Sequence, residues 1–196
     1  MGNIKRFNLK EHISKYDIKI FVETGTGAGN GINFAGQHNF EKLYSIEIQT
    51  ELYNLVSSHI INNKIRLLNT DSLSGITDIF SNTENLQNTM FWLDAHYPGA
   101  DYGYAKYTDN INNEPLRLPL EHELRKICEV KDVSNDVFII DDLRIYLDGP
   151  YVNGNISDEY KPKNRNIDFI YELFDKTHNI NLSYDDEGYI IITPKT

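Results

Sequence analysis

Four glycines fall at every second position, Gly25, Gly27, Gly29 and Gly31, directly behind the apolar, β-branched run Ile18-Lys-Ile-Phe-Val-Glu23. A run of that kind reads as a buried strand. Glycines at this spacing let the chain turn sharply and let its backbone approach a neighbour with no Cβ between. A helix expected from about Ala28 to Gln37 turns its first N–H groups toward the same place, and such groups attract anions. Few folds need a strand, a glycine-rich turn and a helix in immediate succession. Those that do are mostly α/β sheets holding a nucleotide-like ligand above the strand ends.

The rest of the chain repeats the alternation. Lys42–Ile48, Lys64–Leu68, Thr89–Asp94 and Val137–Ile140 read as further strands, with helices expected over Glu51–Ile61, up to Phe80, Leu120–Val130 and Ile167–Thr177. Serine after aspartate, at Ser72, is the expected N-cap of the helix reaching Phe80. Two last strands, Ile180–Tyr184 and Tyr189–Thr193, face each other across the turn Asp185-Asp-Glu-Gly188. The expectation is an α/β, doubly wound, Rossmann-like seven-stranded sheet, mostly parallel with a C-terminal antiparallel hairpin. Its 196 residues suit one domain, with residues 1–16 as an N-terminal helix or loose arm and two long polar loops at 97–118 and 146–166.

A net charge of −10 argues against nucleic-acid partners, which usually call for a basic footprint. No apolar run approaches a membrane span, and the single cysteine, Cys128, rules out an internal disulfide, so the expected setting is cytoplasmic. A small-molecule substrate fits this balance, with a homodimer as the candidate assembly.

Polar residues gather at every expected strand end: Glu23, Glu47, Asp71 with Ser72, Asp94 with His96, and Asp141 with Asp142. Glu47 follows Gly27 by twenty residues, where a carboxylate can accept both ribose hydroxyls of an adenosine-containing cofactor. Asp71 and Ser72 would flank the adenine. Asp94, Asp141 and Asp142 end neighbouring strands, and three carboxylates so placed repel unless a proton or a cation intervenes. Oxygen ligands favour Mg²⁺ or another hard divalent cation. His96 leaves the same strand end as Asp94, where an imidazole can take a proton from a hydroxyl; the other histidines read as structural. Seven tyrosines, including Tyr97 and Tyr104, and six cations, including Lys106, Arg117 and Arg144, crowd the two loops. They offer stacking faces for a sugar and charge for a phosphate.

The order E-x-G-x-G-x-G, in which Asn30 replaces the third glycine of a dinucleotide fingerprint, resembles motif I of class I S-adenosylmethionine (SAM) methyltransferases. The resemblance extends over most of the chain through Glu47 and Asp94. It implies cofactor contacts from Glu23, Thr24, Gly25, Thr26, Gly27, Glu47, Ile48, Asp71, Ser72 and Asp94. The set Asp94, Asp141, Asp142 further resembles the metal-dependent, macrocin-type sugar O-methyltransferases. That likeness implies metal binding by the three aspartates, with His96 in place of the family's second acid as base. Sugar or nucleotide-sugar methylation is then the expected reaction, with Tyr97, Tyr104, Lys106 and Arg144 at the substrate. The alternatives are another acceptor (a phenol, an amine or a phosphorus-linked group) and a SAM-binding module without catalysis.

Overall fold

The computed structural model describes residues 3–195. Seven strands form one sheet: β1 (Ile20–Thr24), β2 (Lys42–Glu47), β3 (Ile65–Asn69), β4 (Thr89–Leu93), β5 (Val137–Ile140), β6 (His178–Ser183) and β7 (Tyr189–Pro194). Their order is β3-β2-β1-β4-β5-β7-β6. The first five run parallel, and β7 lies antiparallel between β5 and β6. The expected sheet, with its closing hairpin, is the observed one.

Parallel strands need crossovers, and the helices supply them. These are α1 (Leu9–Tyr16), α2 (Asn30–Ala35), α3 (Thr50–Ser57), α4 (Ser72–Ser81), α5 (Glu114–Arg117), α6 (Leu120–Val130) and α7 (Asp168–Phe174). Side chains along each strand alternate between faces, and that alternation divides the core in two. Val22, Ile46, Phe91, Phe138 and Ile140 pack under Ile76, Ile79 and Phe80 of α4, Leu124 and Ile127 of α6 and Ile170 of α7. Phe21, Leu43, Met90, Trp92 and Ile139 face the other way, against Leu9, Ile32, Ala35 and Phe40.

Two local expectations are corrected and a third is narrowed. Asp71, not Ser72, caps α4, its carboxylate accepting from the Ser74 N–H at 2.9 Å. Helix α3 stops at Ser57 rather than Ile61, because Ser58 and His59 turn their side chains onto the Leu55 carbonyl. Of the two alternatives for the N-terminal segment, helix or loose arm, the described residues take the helix, α1, with Ile4 and Leu9 buried and Phe7 edge-on to Tyr189. Met1 and Gly2, which belong to that expected arm, lie outside the described residues.

At the edge of the sheet away from the strand tips, Lys131 meets Asp136 at 2.6 Å, both side chains 1% exposed. Asp136 also accepts from the Thr89 N–H, and Lys131 donates to the Gln87 carbonyl. This stitch holds the end of α6 and the starts of β4 and β5 together. Among the described residues no helix is long and apolar enough to cross a membrane.

Candidate active site

The chain reverses its direction of travel across the sheet between β1 and β4, and ligands of such sheets sit above that switch. Thr24 pairs with Ile46 on one side and Leu93 on the other, and Leu93 with Ile140. The residues that follow therefore share one rim. A cavity of about 280 Å³ opens there, lined among others by Gly25, Gly27, Glu47, Ile48, Asp71, Ser72, Asp94, His96 and Tyr97.

Glu47 is tied to the glycine turn itself. One carboxylate oxygen accepts from the Gly27 N–H at 2.9 Å and the other from the Gln49 N–H at 2.8 Å. Burial raises its pKa, and those N–H groups oppose the rise. The carboxylate is thus held at the cavity wall in one orientation. Asp71 and Ser72 also line the cavity, but the Asp71 carboxylate is engaged by its helix cap, which lowers its pKa against the effect of burial.

Glu23 takes a different place from the one expected. It lies beneath the turn, 1% exposed, accepting from Ser45 Oγ, while Thr26 Oγ1 shares a hydrogen bond with the same hydroxyl. A Cβ on Gly31 would stand 1.9 Å from its carboxylate, so Gly31 makes room for Glu23 rather than for a ligand. Burial pushes the Glu23 carboxyl up to about 8. Thr24 and Thr26 are buried with it and line no part of the main cavity. Gly25 (φ +81°) makes room for the backbone of Asp94, which a Cβ would approach to 2.6 Å.

The acids after β4 and β5 do converge, and His96 stands among them. Its Nε2 is 2.8 Å from Asp142 and its Nδ1 is 3.6 Å from Asp94. Asp142 adopts a left-handed backbone (φ 57°), which aims its second oxygen at Arg144 Nε, 2.9 Å away. Arg144 is therefore a partner of Asp142 and sits outside the main cavity. Asp141 is 3% exposed, and its carboxylate lies against the carboxyl of Asp94. Burial and then Asp141 hold the Asp94 carboxyl well above the usual range, so Asp94 keeps its proton against Asp141. Asp141 itself is pushed up to about 6 by burial and Asp142. Burial works against charge on His96, but Asp142, Asp94 and Asp141 together raise it to about 10. That shift favours the protonated imidazole while all three acids face it.

The metal expectation divides along the same line. Among the described residues no three Asp, Glu, His or Cys side chains form a group that could hold a metal ion. The reason lies in Asp142, whose two oxygens are taken by His96 and Arg144. Asp141 and Asp94 are left as a pair of adjacent carboxyls.

The loops depart most from expectation. Tyr97 lines the cavity, but Tyr104 and Lys106 are exposed and do not. Arg117 is 2% exposed and donates to the carbonyls of Tyr107 and Tyr160, with its guanidinium 4.8 Å from the centre of the Tyr97 ring. Arg165 bonds the carbonyls of Arg144 and Ile145 and pairs with Asp148, and Lys161 pairs with Asp158. Arg117 and Arg165 thus bind backbone carbonyls of the loops, and Lys161 binds acids of its own loop.

Sequence reasoning missed two residues. Glu123 is buried (1% exposed) behind His96 and Asp141, with burial pushing its carboxyl up to about 7. Its signal was available: Glu123 falls on the apolar stripe Leu120, Leu124, Ile127, where a solvated acid would not sit. Tyr102 was one tyrosine among many, yet its hydroxyl accepts from the Ala28 N–H at 2.9 Å, on the glycine turn.

A seven-stranded sheet in this order, with its strand ends around such a cavity, is the class I methyltransferase fold. Solved structures of that class superpose along the chain. A Staphylococcus aureus protein classed as a caffeoyl-CoA O-methyltransferase matches with a TM-score of 0.66 at 13% identity, over 100% of this chain and 85% of that one. An O-methyltransferase from Bacillus cereus in complex with SAH matches with a TM-score of 0.61 at 12% identity, over 100% and 82%. TomG of Streptomyces achromogenes, an O-methyltransferase involved in tomaymycin synthesis and bound to SAM, matches at 0.59 and 10%, over 96% and 78%. No family model and no curated protein matches the sequence.

Proposed function

We propose that this protein is a SAM-dependent O-methyltransferase that transfers a methyl group to a hydroxyl of a small acceptor. The observation that carries the reading is Glu47, a carboxylate bonded to the glycine turn in the wall of a cavity that Asp94 and His96 also line. Glu47 would receive the ribose hydroxyls, with Ile48, Asp71 and Ser72 around the base, and the acceptor would lie between the sulfonium and His96. Much of the rate would come from holding the oxygen and the methyl carbon in line.

The acceptor's proton has to leave, and the cluster offers two routes. His96 can take it after passing its own to Asp142 across their hydrogen bond, or the Asp94–Asp141 pair can take it, since the two carboxyls hold one proton between them. A divalent cation held by Asp94 and Asp141 would acidify the hydroxyl and weaken the pull of those acids on the His96 proton. His96→Gln and Asp141→Asn are each expected to lower methyl transfer by about 10²–10⁴-fold, the range of general acid–base catalysis, with SAM affinity retained. Chelator treatment of wild type gives the metal's share directly. Full activity in both variants would remove the cluster from the reaction.

The resemblance in sequence favours a sugar or nucleotide-sugar acceptor. A second reading, a phenolic acceptor, is favoured by the cavity lining, to which Tyr97, Pro98, Pro115 and Leu116 contribute, and by the pairing of Lys161 and Arg165 with acids. SAH release measured with a panel of sugars, nucleotide-sugars and catechols separates the two. No release with any hydroxyl acceptor, despite SAM binding, would overturn O-methylation and leave an amine or phosphorus-linked acceptor, or a cofactor-binding module without catalysis.

A further inference from the structure

Tyr102 stands between two cavities. It lines the main one beside Glu47 and Asp94, and it lines a cleft of about 70 Å³ formed with Lys5, Glu23, Ala28 and Asn30. Gly25, Gly27 and Asp94 border both, so the phenol ring is the partition where the two would otherwise run together.

The hydroxyl rests directly on the turn. It accepts from the Ala28 N–H, and a Cβ on Gly27 would come within 2.3 Å of it. The other three glycines of the run make room for Asp94 backbone, for Val56 and for Glu23, all fixed parts of the fold. At Gly27 the neighbour is the far end of a side chain carried by a loop.

That loop segment has pivots. Tyr102 closes a single 3-10 turn, Ala100–Tyr102, between Gly99 (φ 76°) and Gly103 (φ 76°), both in the left-handed region that glycine reaches without strain. No atom lies within 4 Å of the position a Gly103 Cβ would take. Volume gives the segment a reason to move. The main cavity, at 280 Å³, falls short of the roughly 300–1,000 Å³ typical for one drug-sized ligand, whereas methyl transfer needs cofactor and acceptor together.

We propose that Tyr102 is an internal plug of the cofactor site, and that the cofactor enters only when the 100–102 turn swings about Gly99 and Gly103 and frees the Ala28 N–H. The inference rests on the SAM reading above. Pro98, Gly99 and Asp101 line the same cavity, so its wall is reshaped when the turn swings.

The test is SAH binding to the full chain by calorimetry and stopped flow, for wild type, Tyr102→Phe and Tyr102→Ala. Tyr102→Phe keeps the ring and loses the contact with Ala28. The plug predicts SAH affinity raised about threefold or more in Tyr102→Phe and further in Tyr102→Ala, through faster association. Equal or weaker SAH binding in both variants, with wild type binding SAH normally, overturns the plug and leaves the cofactor reading intact. Absence of SAH and SAM binding in all three proteins overturns both.

Discussion

Glu23 carries a carboxyl into a position where ionisation is expensive. Its pKa is about 4.5 unfolded and about 8 folded, so the native chain holds a proton over that window that the unfolded chain has released. By linkage this contribution is flat below pH 4.5, is lost as the pH rises toward 8, and is flat again above. Glu23→Gln removes the titration while keeping an acceptor for Ser45. Urea denaturation at pH 5 and pH 8 is expected to show the variant gaining on wild type by on the order of a few kcal/mol as the pH rises. Parallel curves for the two proteins would contradict the burial argument. The acids at the rim were legible in the sequence because a strand end marks where its next residue goes. What each acid bonds was not: Glu23 and Glu47 end adjacent strands, yet one lies under the turn and the other against it, a difference set by Ser45 and by the Gly27 N–H.

Elements with polar punctuation at both ends were read to the residue. Helix α6 follows Pro119 and ends before the polar stretch 131–136, and strand β5 begins directly after it. The loops were legible only as long and tyrosine-rich, because their contacts run to backbone carbonyls that any sequence possesses. Arg117 shows this: it joins the loop after β4 to the loop after β5 through the Tyr107 and Tyr160 carbonyls. Arg117→Ala is expected to leave the sheet intact and to speed limited proteolysis within 97–118 and 146–166 several-fold. Unchanged cleavage there would mean that the Tyr97–Tyr160 bond suffices to hold the loops. The stitch at the opposite edge is a matter of stability. Lys131→Met leaves Asp136 buried and uncompensated, which is expected to cost about 3–5 kcal/mol, read as a lowered midpoint of thermal unfolding with SAH affinity unaltered in the fraction that remains folded.

Across the whole molecule, the rim is a product of strand register, and register follows from which residues each face must bury. That is why the positions of Asp94, Asp141 and Asp142 could be anticipated together although more than forty residues separate the first from the other two. Strand β7 carries a different implication. It is interior, although β6, made before it, touches the sheet only through it. A nascent chain emerging through Ser183 therefore has five strands that can pair and a sixth, β6, with no neighbour, and the edge of β5 is bare. Synthesis order and assembly order run opposite here, so a ribosome paused before Tyr189 would hold out an open, sticky sheet margin for a chaperone, or for another chain, to cover.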